Sequence, residues 1–201
     1  MQGLLRKELY MAAKYCRSYI LIAAVFAVAS FWSDNMLILI YPVLMAGIVP
    51  VSLLSYDEKC RWDTYAGVFP YSRQAIVSAK YITALLLLGG FTLLMGLIQV
   101  FRMVQNGQTD IAGAGTLLAV TAAAGMVSPS LVLPAVFKFG AEKGRIVYYA
   151  AIIVSCGILG FAGAAEKKPL PPQISWFILL SIVLFACSWL LSVHVYQKRE
   201  F

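Results

Sequence analysis

Charged residues are scarce in this chain of 201 residues: only 12% are Asp, Glu, Lys or Arg, while 61% are hydrophobic. A soluble domain has about 25% charged and about 45–50% apolar residues. A soluble protein of this size could not bury so much apolar surface. We therefore expect an all-α integral membrane protein. Its net charge of +7 does not imply nucleic-acid binding, because basic loops on one side of a membrane account for it.

The sequence also lacks the motifs of nucleotide and catalytic chemistry. No lysine follows a glycine, which excludes a Walker A loop. The G-x-G at Gly113 and Gly115 is followed by Leu118 where a dinucleotide fingerprint needs a third glycine. The four cysteines form no C-x-x-C pair, and His194 is the only histidine, so we expect no bound metal and no catalytic residues. A stand-alone intramembrane enzyme remains the weakest alternative.

Long uncharged runs are what the sequence has instead. A span needs about 20 apolar residues to cross the hydrocarbon core. Six uncharged runs approach or exceed this length, so we predict six transmembrane helices; a five-span alternative puts the short first run in the interface. The runs are 18–33, 35–56, 81–101, 111–137, 146–165 and 169–197.

The distribution of basic residues orients these spans. With six spans, 13 of the 16 Lys and Arg lie on one side, and only Arg102, Lys167 and Lys168 lie on the other. The positive-inside rule then places both termini in the cytoplasm of a multi-pass plasma-membrane protein. We find no linker and no repeat, so residues 1–201 are interpreted as a single transmembrane permease-like domain.

The N-terminal residues 1–17 have the pattern of an amphipathic helix. Arg6, Lys7, Lys14 and Arg17 fall in one arc and the apolar residues in the opposite arc, with Glu8 an exception on the apolar side. Such a helix is expected to lie in the interface, with its basic edge near anionic headgroups of membrane lipid. It is either a simple topology anchor or an elbow helix that also braces a partner.

The segment 57–72, called the coupling segment below, is the most unusual stretch. It begins with charges at Asp57, Glu58, Lys59, Arg61 and Asp63, and the Asp57–Arg61 and Glu58–Arg61 spacings suit a short helix. Bulky side chains follow, and a serine can cap the next helix. Charge followed by aromatics predicts docking into a groove of a soluble partner; the alternative is a solvated or lipid-facing loop. The residues concerned are Trp62, Tyr65, Val68, Phe69 and Ser72.

Two further sets of residues are candidates for function. The loop 138–145, called the second contact loop, has glycines that permit tight turns at Gly140 and Gly144, though a simple hairpin between spans explains it equally well. Polar groups inside the spans are candidates for a transport pathway. They are Thr92, Gln99, Thr116, Thr121 and Ser128.

These motifs together resemble a family. The strings S-Y-D-E-K-C-R-W-D-T-Y and P-Y-S-R-Q-A-I-V-S-A-K-Y after the second run are similar to those of small type-2 ATP-binding cassette (ABC) exporter permeases of Gram-positive bacteria. The string L-P-A-V-F-K-F-G-A-E-K-G-R and the opening G-L-L-R-K-E-L-Y also fit this group. The resemblance covers nearly the whole chain.

The resemblance implies six spans, an N-terminal interfacial helix and a coupling helix after span 2 that sits on a separate nucleotide-binding ATPase. That ATPase would bind ATP and magnesium, while this chain would bind no cofactor; two permeases and two ATPases would form the exporter. Members are linked to export of, or immunity to, antimicrobial or cytolytic peptides. The resemblance assigns ATPase coupling to Glu58, Lys59, Arg61, Trp62 and Asp63, and a second contact to Phe139, Gly140, Glu142 and Lys143.

The sequence thus favours a permease subunit that exports an amphipathic or hydrophobic substrate from a bacterial cytoplasm. Asp57 and Tyr65 complete the predicted coupling residues. The second permease is the same chain or a related one. A non-transporting anchor or sensor subunit shares every feature except the pathway, and substrate-dependent ATPase stimulation would separate the two.

Overall fold

The structure is a computed structural model that describes residues 2–15, 17–29, 36–66, 72–105, 111–140 and 174–198, together with 143, 146, 147, 149, 150, 152 and 153. Within these residues the chain is helical and contains no β-strand, as the all-α prediction requires. The helices are α1 (Gln2–Tyr15), α2 (Arg17–Ala29), α3 (Met36–Ala46), α4 (Ile48–Lys59), α5 (Trp62–Ala66), α6 (Arg73–Gln105), α7 (Ile111–Phe139) and α8 (Ile174–Gln197).

Three helices of the described chain are long and apolar enough to cross a membrane: Arg73–Gln105, Leu118–Phe139 and Trp176–Gln197. A fourth span results if Gly3–Tyr15 and Arg17–Phe26, which meet at a 64° bend, cross together. The predicted runs 81–101 and 111–137 therefore lie within α6 and α7, and the described part of the run 169–197 forms α8. The run 146–165 lies largely outside the described residues.

The predicted second span, 35–56, is divided into α3 and α4 at Gly47. The Gly47 amide donates to the Leu44 carbonyl at 3.1 Å, an i−3 contact that tightens the turn. Pro50 has no amide hydrogen, so it cannot donate the hydrogen bond to the carbonyl one turn earlier that would continue a helix across Gly47. A side chain at Gly47 would meet the Ser128 hydroxyl at 2.5 Å, so only glycine lets α7 approach the break this closely.

The largest core lies where α1, α4, α6, α7 and α8 converge. It includes Leu4 of α1, Val51 of α4, Val77 of α6 and Phe137 of α7, all buried. Helix α8 packs along α7 and against α6. Tyr81 of α6 holds this packing through its hydroxyl, which lies 2.7 Å from the hydroxyls of both Ser188 and Ser192. This convergence places the coupling segment directly beside the core.

Candidate functional site

Four charged side chains meet where α1, α4 and α6 converge, and we call them the ionic cluster: Lys7, Glu8, Asp57 and Lys80. Lys7 Nζ lies 2.6 Å from Asp57 Oδ1 and 3.3 Å from Glu8 Oε1. Lys80 Nζ lies 2.7 Å from Glu8 Oε1 and is also paired with Asp57 Oδ2. The cluster is neutral overall and ties three helices together through their charged groups.

Burial makes the ionic cluster energetically important. Glu8, Lys80 and Asp57 are 1%, 4% and 5% exposed. Isolated buried charges are very costly, so each must have a counter-charge at hydrogen-bonding distance. Glu8 Oε2 is nevertheless buried without a hydrogen-bond partner among the described residues. The cluster therefore tolerates little change in the relative position of its three helices.

The coupling segment begins inside this cluster. Asp57 and Glu58 belong to the last turn of α4, which ends at Lys59. Cys60 and Arg61 form a turn, with Arg61 at φ 50°, and α5 follows. A short helix is therefore present, as predicted, but it does not contain the Asp57–Arg61 pair: Asp57 bonds to Lys7 and Lys80 instead. The predicted i, i+4 pairing of Asp57 with Arg61 is wrong because α4 ends at Lys59 and the backbone is no longer helical at Arg61.

Helix α5 has an inner and an outer side. Ala66 is buried against the core, and Lys7 Nζ lies 4.0 Å from the centroid of the Trp62 ring, within cation–π distance. Tyr65 by contrast is 64% exposed. Asp63 lies in α5, and its side chain is outside the part of the chain that the structure describes. The segment therefore contacts α1 through Trp62, while Tyr65 is exposed on its outer side.

The two predicted contact regions are adjacent in space. The carboxylate oxygens of Glu58 lie 3.6 and 3.9 Å from where a side-chain carbon on Gly140 would be. Gly140 adopts φ 87°, the left-handed geometry expected of a glycine that ends a helix, and its amide donates to Val136. Phe139 and Lys143 are exposed, and Glu142 and Gly144 lie outside the described residues. The structure thus joins the coupling segment to the second contact loop at Glu58.

Two other features of the coupling segment show how it is built. The Ala75 amide donates to Ser72 Oγ at 3.2 Å, so Ser72 caps α6 as predicted. Lys59, Arg61 and Tyr65 are all exposed. The outward side of the segment therefore combines positive charge with an aromatic ring, which is the surface chemistry that the docking prediction requires.

The candidate pathway residues lie on α6 and α7 and differ in exposure. Thr121 and Ser128 are buried, Gln99 is half-buried and Thr116 is exposed. Thr92 Oγ1 donates to its own helix at the Leu88 carbonyl, 2.7 Å away. Ser128 Oγ has no hydrogen-bond partner among the described residues and faces the Gly47 break. Their role in transport stays a prediction.

Sequence reasoning missed Lys7, Glu8 and Lys80 as members of a buried site. Lys7 was assigned to the basic edge of α1 and Lys80 to the positive-inside loops. One signal was available: Glu8 falls on the apolar side of α1, where an acidic residue needs a buried partner. Lys80 lies at the junction of a charged loop and an uncharged run, and it is the cation that pairs with Glu8.

The comparisons with known proteins agree with this architecture. The model of the family described as "ABC-2 family transporter protein" matches residues 3–197. Comparison with curated proteins gave no match, and comparison with solved structures gave none. Proteins of this family are the membrane components of ABC transporters and normally work with an ATP-binding subunit. Because the match covers nearly the whole chain, this protein belongs to the ABC-2 family of transporter membrane proteins.

Proposed function

We propose that this chain is the permease subunit of an ABC exporter that moves an amphipathic or hydrophobic substrate, such as a peptide, out of a bacterial cytoplasm. A separate ATPase supplies the energy, and a second permease completes the pathway. The chain crosses the plasma membrane six times with both termini inside, and the bacterium is Gram-positive. Family membership supports the transport role, and the charge distribution supports the orientation.

The observation that carries the coupling role is the ionic cluster. Asp57 is the first residue of the coupling segment, and it is ion-paired to α1 through Lys7 and to α6 through Lys80. A force applied to the segment by a moving ATPase is therefore transmitted to α4, α1 and α6 together. Buried ion pairs with little tolerance for displacement make this connection stiff.

The exposed side of the segment is the proposed ATPase contact. Lys59, Arg61 and Tyr65 would face the ATPase, and Glu58 would keep the second contact loop beside it through Gly140. Aromatic and Arg side chains are the residues that most often dominate binding at protein interfaces. ATP-driven closure of two ATPases would then move two permeases relative to one another and open a path between them.

The test is recovery of the ATPase with the tagged permease from the native host in mild detergent. Arg61→Glu combined with Tyr65→Ala should reduce the recovered ATPase by about tenfold or more, since Tyr and Arg hot spots each contribute about 2 kcal/mol. Tyr10→Ala is the matched control, because Tyr10 is 70% exposed and belongs to α1 rather than to the coupling segment. Wild-type recovery of the ATPase by the double variant would contradict the docking role.

Coupling is measured by ATP hydrolysis in the assembled complex rather than by recovery of the ATPase. Glu58→Ala with Arg61→Ala should abolish substrate-stimulated ATP hydrolysis in the reconstituted complex while the permease still elutes as a folded protein. Wild-type export by this variant would exclude the coupling role of these residues. A wild-type complex that shows no substrate stimulation at all would favour the anchor or sensor alternative.

A further inference from the structure

An apolar groove lies in the angle between α1 and α2, on the side where these helices meet α4 and α6. Its volume is about 240 Å³, and its walls come from Leu9 and Ala13 of α1, Ile20 of α2, Val49 of α4 and Phe91 of α6. All of these side chains are hydrocarbon. A polar ligand would find no hydrogen-bond partner among them, so the groove suits an aliphatic chain.

The groove opens to the surroundings of the helices, because Leu9 and Ile20 on its walls are exposed. Wall residues come from both sides of the 64° bend between α1 and α2. In a membrane, the molecules that reach an apolar opening of this kind are lipids, and their acyl chains match its chemistry.

The rim of the groove carries positive charge. Arg17 Nε donates to the carbonyl of Ala13, a wall residue, at 3.3 Å, which holds the guanidinium at the rim. Arg6 lies two turns before Ala13 on the same face of α1, and both arginines are exposed. Glu8, the one acidic residue of α1 and α2, is turned into the ionic cluster instead. No carboxylate of these two helices therefore opposes an anion at the rim.

We propose that this groove is a binding site for one anionic phospholipid, with an acyl chain between Leu9, Ile20 and Phe91 and its phosphate at Arg17. The charge of the rim selects an anionic headgroup over a zwitterionic one, and the hydrocarbon walls hold the chain. This proposal does not depend on the transport function. It gives the elbow formed by α1 and α2 a bound lipid as part of its structure.

The experiment is native mass spectrometry of the full-length protein in detergent, titrated with phosphatidylglycerol and, separately, with phosphatidylcholine of the same acyl chains. Wild-type protein should retain one phosphatidylglycerol at about tenfold lower concentration than phosphatidylcholine, because each basic residue near an anionic headgroup adds binding free energy. Arg17→Gln should remove this preference and leave phosphatidylcholine binding unchanged. Lys138→Gln, at an exposed lysine in the last turn of α7, is the matched control and should keep the preference.

Two variants test the groove itself. Ala13→Phe and Ile20→Trp each fill it from an exposed position, so folding is preserved, and each should weaken binding of both lipids by about tenfold or more. Unchanged phosphatidylglycerol binding by both variants would overturn the proposal. Equal loss of preference in Lys138→Gln would overturn it too, since it would show a general charge effect. If the groove variants alter substrate-stimulated ATP hydrolysis but not lipid binding, the occupant is the transported substrate and the lipid assignment is wrong.

Discussion

The two halves of α6 share one helix and one apolar composition, yet they have opposite surroundings. In the N-terminal half, Val77, Lys80, Tyr81 and Thr83 are buried within the protein. In the C-terminal half, only Met95 and Gly96 are buried, and Leu97 is 73% exposed. The N-terminal half buries a charge and two hydroxyls, at Lys80, Tyr81 and Thr83, whereas all three leucines of the C-terminal half are exposed: Leu93, Leu94 and Leu97.

Polar groups are buried and leucines exposed because the solvent around a membrane-spanning helix is lipid. Lipid tails are as apolar as leucine, so an exposed leucine has no drive to enter the protein. Polar groups gain by turning inward to find partners, as Lys80 does with Glu8 and Asp57, and Tyr81 does with Ser188 and Ser192. In this protein, therefore, burial identifies the end of α6 that holds the ionic cluster better than hydrophobicity does.

The largest predicted effect is at the charged half. Lys80→Met should destabilise the protein by about 3–5 kcal/mol, because Glu8 and Asp57 then share one cation, Lys7, in a buried site. The measurement is unfolding of the purified protein in mixed micelles. Lys138→Met, at an exposed lysine, should change the free energy of unfolding by less than about 0.5 kcal/mol.

A second variant shows whether charge balance is the cause. Glu8→Gln with Lys80→Gln removes one charge of each sign and leaves the Lys7–Asp57 pair at 2.6 Å. It should be less destabilising than Lys80→Met, since no net charge remains buried. If Lys80→Met had the same free energy of unfolding as wild type, burial of the charged half of α6 would make no difference to stability.

An intermediate effect is expected where α6 touches α7. A side-chain carbon at Gly96 would lie 2.8 Å from Leu118 Cδ2, whereas one at Gly89 would meet nothing within 4 Å. Overpacking costs about 1–3 kcal/mol, and Leu118 can relieve part of it by moving its terminal methyl groups. Gly96→Ala should therefore be about 1 kcal/mol less stable than Gly89→Ala in the same unfolding assay. Equal stabilities would show that α6 and α7 are not in close contact.

The smallest effect is expected at the exposed half. Leu97→Ala should alter the free energy of unfolding by no more than about 0.5 kcal/mol, because a lipid-facing side chain exchanges one apolar contact for another. The same micelle experiment measures it. A decrease of more than about 2 kcal/mol in the free energy of unfolding would show that this face packs against protein, such as a second permease. The C-terminal half of α6 would then not be exposed to lipid.

Local rules made several features predictable from the sequence. Helical structure followed from the uncharged runs, and Ser72 caps α6 because a serine before a helix accepts a hydrogen bond from its first turn. Gly140 adopts the left-handed geometry that glycine tolerates best. Family membership was predictable because the loop strings are contiguous in the chain.

The ionic cluster was not predictable in the same way. Its members lie at positions 7, 8, 57 and 80, and no periodicity connects helices so far apart in the sequence. Asp57 had a plausible local partner in Arg61, and only the turn after α4 showed that this pair does not form. The sequence by itself determined that the chain is a helical membrane protein of the ABC-2 family, because composition and contiguous motifs are local properties. The tertiary structure decided which charges are buried together, because pairing between charges depends on distance and exclusion of solvent, which the packing of α1, α4 and α6 sets.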